Sequence, residues 1–181
     1  MASTPTNHDD DLESDIVIHE YTHGLMNRLT GGGTGRCLTT AVSGGLGEGW
    51  SDAMADWANI RRFLYSTNTA VNRLKYSSLR TSSGVHRYGE IWANMLHTLH
   101  AQMMVYNEFD ANARTNPESR AGYAMSLHIL IDAPKLQLAI LPVRLVSLVD
   151  AKNALIQADY NRYNGLNRCS ITQVFARRGL G

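Results

Sequence analysis

Apolar positions recur along this chain at three- and four-residue spacing, and no segment alternates convincingly at every second residue. Over 12–29 the pattern predicts a helix, with Ile16, Ile18, Leu25 and Met26 among its apolar residues and Asp11, Ser14 or Asp15 available to cap its start. The stretch TGGGTG (30–35) ends that helix, because consecutive glycines lose the most entropy on being ordered. The loop is expected to continue through RCLTTAVSGGLG to Gly47, with a second helix over 48–65. The Ser/Thr/Asn-rich segment 66–84 reads as loop. A long amphipathic helix follows over 86–106, with Ile91, Met95, Leu99 and Met103 near one face. Further helices are expected over 119–131 and 147–163, and a short one in the terminal CSITQVFARRGLG. There is no internal repeat. The fold class expected is mainly α.

Composition narrows this picture. With 181 residues there is room for one domain with a real core, and 44% apolar and 18% charged residues are globular values. Residues 1–11 read as a flexible acidic lead-in and 12–181 as a single helical domain. A net charge of +1 gives no electrostatic reason to expect nucleic acid or an anionic membrane as partner. The pairs Arg61–Arg62 and Arg177–Arg178 are expected on solvated faces. The most apolar region, 127–149, carries Asp132, Lys135, Arg144 and two prolines, so it reads as buried core and not as a membrane span. The polar N-terminus is not that of a secretory signal or transit peptide, and the sequence reads as a soluble chain without an export address. Cys37 and Cys169 allow one bridge at most.

The stretch DIVIHEYTHGLMNRL (15–29) changes the picture most. On a helix, residues four apart share a face, so His19 and His23 can present both imidazoles to one metal ion. Glu20 is turned by about 100° from His19. Its carboxylate then lies beside the ion and suits a general base acting on a water there. The competing reading is a polar helix face. A catalytic zinc needs a third protein ligand and an open position. A third histidine is excluded, since Leu29 and Met26 stand where that longer motif needs histidine and glycine. GEGWSD offers Glu48, with Asp52 one turn on to accept the outer N–H of a ligating histidine. Glu90 is the runner-up ligand. His86, after a Ser/Gly turn, is a candidate donor for a developing oxyanion, and reads equally well as a surface loop histidine. His97, His100 and His128 read as core or boundary residues, and Trp50, Trp57 and Trp92 as packing residues.

Taken in order, HEYTHGLMNRLTGG, GLGEGWSD, GVHRYGEIWANML, KLQ, ALIQAD and FARRGLG resemble the fungalysins, secreted fungal zinc metalloendopeptidases related in architecture to thermolysin. The resemblance runs from about Asp11 to Gly181. It implies one zinc per chain on His19, His23 and Glu48, with Glu20 as general base and acid. It also implies that Asp52 supports His19, that His86 stabilises the transition state, and that Ile16 lines an S1′ pocket for large apolar residues. Protein or peptide substrates and an extracellular location follow from it as expectations. So does a helical half of a thermolysin-like catalytic domain, its β-rich N-terminal half and inhibitory propeptide not in this sequence. Three departures accompany the resemblance: the absence of that N-terminal part, a short segment between GWSDAMADW and NIRRFLYST, and a divergent stretch over 138–149. The last removes the cysteine that the family would pair with Cys169, for which Cys37 is the only substitute in the sequence. The alternative function is a truncated, non-catalytic zinc-binding remnant or interaction module. A helical scaffold without metal is a third reading.

Overall fold

The computed structural model describes residues 14–55, 61–113, 115–137 and 146–181. Among these described residues six α-helices follow one another: α1 (Ser14–Leu29), α2 (Ala41–Ala55), α3 (Val85–Tyr106), α4 (Gly122–Leu136), α5 (Leu148–Tyr163) and α6 (Arg168–Arg177), with a 3₁₀ turn at Tyr76–Thr81. Among the described residues there is no strand, and Glu108 and Ala121 form an isolated β-bridge. The mainly helical reading is what the chain adopts. The lead-in at 1–11 and Trp57 lie outside the described residues.

The long helix α3 is the axis of the core. Its stripe Ile91, Met95, Leu99 and Met103 is buried as the spacing predicts, and Trp92, Ala93 and Leu96 are buried as well, because α2, α4 and α6 pack around it. Trp92 joins three helices. It meets Trp50 of α2 edge-on at 5.3 Å between ring centroids and stacks on Phe175 of α6 at 5.4 Å. Helix α1 lies against α2, while α5 packs on α4 and α6.

Two helices differ from the periodicity reading. Helix α2 starts at Ala41, seven residues before the expected Glu48. Its start is fixed by Thr40 and Ser43, each of whose hydroxyls accepts the other's backbone N–H (Ser43 to Thr40 at 3.2 Å, Thr40 to Ser43 at 3.0 Å). The glycines that suggested loop instead let α2 and α3 touch. A Cβ on Gly49 would sit 2.8 Å from both the Gly89 carbonyl oxygen and the Trp92 Cβ. The helix also does not reach Tyr65, since residues 61–65 have no helical conformation. Helix α4 runs past the expected end to Leu136 with Pro134 inside it. Proline forfeits one hydrogen bond there, and burial of Ala133 and Pro134 offsets the loss. At α5, Ser147 and Asp150 form a capping box. No helix among the described residues is long and apolar enough to cross a membrane. Both cysteines are free, Cys37 buried and Cys169 exposed.

Candidate metal centre

Helix α1 buries His19, Thr22 and Met26, and with half-buried His23 these form the stripe turned toward α2. Thr22 donates its hydroxyl to the Ile18 carbonyl (2.7 Å), so its polar group is turned back onto its own helix. Helix α2 brings Glu48 to them from the opposite side. The Nε2 atoms of His19 and His23 lie 3.0 Å apart. His19 Nε2 is 3.6 Å from Glu48 Oε2, and His23 Nε2 is 3.6 Å from Glu48 Oε1. Among the described residues this trio is the group of His, Cys, Asp and Glu side chains whose donor atoms converge closely enough to hold a metal ion.

The donor set fits zinc. Tetrahedral bonds of about 2.0–2.1 Å require donor atoms roughly 3.3 Å apart, and the three observed separations bracket that value. Orientation fits as well: His19 Nδ1 lies 2.9 Å from Asp52 Oδ1, so once Nε2 gives up its proton the remaining one faces Asp52 and the Nε2 lone pair faces the trio. Asp52 is fully buried, and all four of its acceptor directions are used. Oδ1 receives His19 Nδ1 and Arg61 Nη2 (2.8 Å); Oδ2 receives Arg61 Nε (2.8 Å) and the Tyr65 hydroxyl.

Charge is concentrated here. Burial opposes the protonated form of His19, but hydrogen bonds to Asp52 and Glu48 outweigh it and raise its pKa to about 9. Burial lowers His23, with Glu48 acting against it. Burial also works to raise Glu48 and Asp52. His19, then the other cationic neighbours, hold Glu48 below the usual carboxylate range; His19, Arg61 and Tyr65 do the same for Asp52.

The other sequence candidates are placed as follows. His86, at the start of α3, is exposed, with Nε2 3.5 Å from Glu48 Oε2. Glu20 is exposed on α1, and Ile16 is half-buried one turn before His19. Glu90, the runner-up ligand, is engaged elsewhere: it accepts the Arg62 backbone N–H and Nε, both at 2.7 Å. His100 and His128 are boundary residues bonded to Ser126 and Tyr163 at 2.6 Å each.

Sequence reasoning missed Arg61 and Tyr65. Arg61 is not on a solvated face: its side chain is 3% exposed, it forks onto Asp52, and it reaches Glu48 at 3.3 Å. The available signal was Asp52 itself. A buried carboxylate assigned to one histidine still needs donors for its remaining lone pairs.

Comparison with known proteins places the chain among metallopeptidases. It belongs to the family described as Fungalysin metallopeptidase (M36), whose profile matches residues 1–60 and 57–181. The two matches meet at 57–60, the junction where the sequence suggests a short segment. Extracellular metalloproteinase 4 of Arthroderma gypseum is 37% identical over 214 residues, covering 99% of this chain and 32% of the relative. Extracellular metalloproteinase mep of Aspergillus flavus is 37% identical, covering 96% of this chain and 31% of the relative. Extracellular metalloproteinase 3 of Trichophyton soudanense is 36% identical, covering 97% and 50%. The chain thus spans about a third to a half of the length of these relatives.

Proposed function

We propose that this chain is the metal-holding part of a zinc metalloendopeptidase that hydrolyses peptide bonds in proteins outside the cell. The observation that carries the proposal is the convergence of three donor atoms from α1 and α2 at 3.0–3.6 Å, with His19 oriented by a buried carboxylate. Two neutral imidazoles and one carboxylate suit zinc. The cluster is also open to one side, as a catalytic site requires: the His23 side chain is 26% exposed and His86 stands at its rim. The similarity to extracellular metalloproteinases supports the class and the location.

When bound, zinc supplies Lewis acidity, polarising a peptide carbonyl and acidifying water. The chain's own residues do the rest. His19, His23 and Glu48 hold the ion, and Asp52 keeps the His19 ring in place. Glu20, beside and not within the donor set, takes the proton of the attacking water and passes it to the leaving amine. His86 donates to the oxygen that gains charge. Ile16 contributes to an apolar wall for a large side chain of the substrate.

A second reading is a zinc-binding module without turnover. It is favoured by the apolar residues Val17, Ile18 and Tyr21 exposed on the outer side of α1. Metal analysis together with cleavage of a quenched peptide, with and without o-phenanthroline, separates the readings. The peptidase reading expects one zinc per chain and chelator-sensitive cleavage. Stoichiometric zinc without such cleavage selects the module, and no zinc removes both.

A further inference from the structure

We infer that Tyr65 is a positioning residue of the metal centre, acting on His19 through Asp52. This rests on the zinc reading above and goes beyond it. The sequence gives Tyr65 no role, and it stands thirteen residues after Asp52, beyond the end of α2. Its hydroxyl fills the one acceptor direction of the Asp52 carboxylate that neither His19 nor Arg61 occupies. Asp52 has no exposed surface, so water is poorly placed to replace that donor.

The position of the hydroxyl is itself fixed on both sides. The preceding residue, Leu64, gives its carbonyl to Asn72 Nδ2 (3.0 Å). The following residue, Ser66, donates its N–H to Asn94 Oδ1 of α3 (3.0 Å) and accepts Arg178 Nη2 on its carbonyl (2.6 Å). Such bracing of the backbone suits a group that orients another and does not merely fill space. Removing the hydroxyl leaves one acceptor direction of a buried carboxylate unfilled, with Oδ2 held by Arg61 Nε alone. The balance of donors around the carboxylate then shifts toward Arg61, which lengthens its bond to His19 Nδ1 and weakens Nε2 as a metal donor.

The test is Tyr65→Phe, which keeps the ring, compared with Tyr123→Phe. The control deletes another tyrosine hydroxyl, one that donates to the Asp110 carbonyl at 3.3 Å. Zinc affinity is read by competition with a chromophoric chelator, and folding by thermal melting of the metal-free chains. Loss of a group that supports a ligand weakens metal binding about ten- to a hundredfold. The expected result is a loss in that range for Tyr65→Phe, unchanged affinity for Tyr123→Phe, and a cooperative metal-free melt for both. A purely structural tyrosine would lower the melting temperature and leave zinc affinity alone. If Tyr65→Phe binds zinc within twofold of the parent chain, or if both variants lose affinity equally, the inference is overturned. If the parent chain binds no zinc, the failure lies in the metal reading itself, and the inference goes with it.

Discussion

Asp52 links the acid–base state of the cluster to its readiness for metal. In the metal-free chain His19 holds a proton up to about pH 9, because Asp52 and Glu48 outweigh the burial that opposes it. Metal must displace that proton from Nε2, so zinc affinity should fall by roughly tenfold for each unit of pH below that point, until other ligands protonate. The metal-free chain should respond in the opposite sense. A folded-state pKa raised above the ordinary value of 6.5 adds stability that is complete below 6.5 and disappears as pH rises through about 9. Denaturant titrations at pH 6 and pH 9.5, with and without zinc, would show it; a zinc-free chain with no loss attributable to His19→Asn over that interval would contradict the assignment. A second prediction separates roles within the motif. Glu20→Gln should retain zinc and lose hydrolysis, since Glu20 is exposed and outside the converging trio. Loss of zinc in that variant would make Glu20 a ligand. These residues were legible because helix geometry alone places positions 19 and 23 on one face. Arg61 was not, because adjacent arginines look like surface until a tertiary contact supplies the carboxylate that draws one of them inside.

Between elements, the decisive contact is α2 against α3. Gly89 of α3 faces Glu48 of α2: a Cβ there would come 2.6 Å from the Glu48 Cβ, 3.1 Å from the Gly49 nitrogen and 3.3 Å from the Gly45 carbonyl oxygen. Two of those three neighbours are backbone and cannot swing aside. Gly89→Ala should therefore push the helices apart at Glu48, the proposed third ligand, destabilising the fold by about 1–3 kcal/mol and lowering zinc affinity. Urea unfolding and metal analysis check both effects, and retention of both would mean that α2 can shift without moving Glu48. This contact also explains why α2 was misjudged at the sequence level. The SGGLGEG run has the composition of a loop, and its helical state depends on a partner helix close enough to need the missing side chains. Helix α3, whose apolar stripe is long and regular, needed no such knowledge, and its expected bounds agree with the structure to within one residue.

Over the whole molecule, the C-terminal segment ties down the irregular chain that runs from the metal centre to α3. Arg178 was expected on the surface and is 1% exposed, its guanidinium donating to the carbonyls of Ser66 (2.6 Å), Asn72 (2.6 Å) and Leu74 (3.2 Å). Its own carbonyl accepts the Tyr76 N–H at 2.8 Å. Burial alone lowers its pKa, so its charge is sustained by carbonyl dipoles. No helical period predicts this, because a segment without regular structure must have its backbone carbonyls satisfied one by one, by whatever donor the fold delivers. An arginine three residues from the end of the sequence does so for a loop more than a hundred positions earlier. Arg178→Met keeps the apolar stem and removes the donors, leaving three carbonyls of a loop anchored at buried Asn72 and Leu74 to find other partners. The expected loss of stability is about 3 kcal/mol or more. Because Ser66 adjoins Tyr65, limited proteolysis should also cut first within 66–75, before any helix yields. If the variant unfolds at the same denaturant concentration as the parent, Arg178 is a passenger in the core, and the order of the loop must come from Asn72 and Asn94 instead.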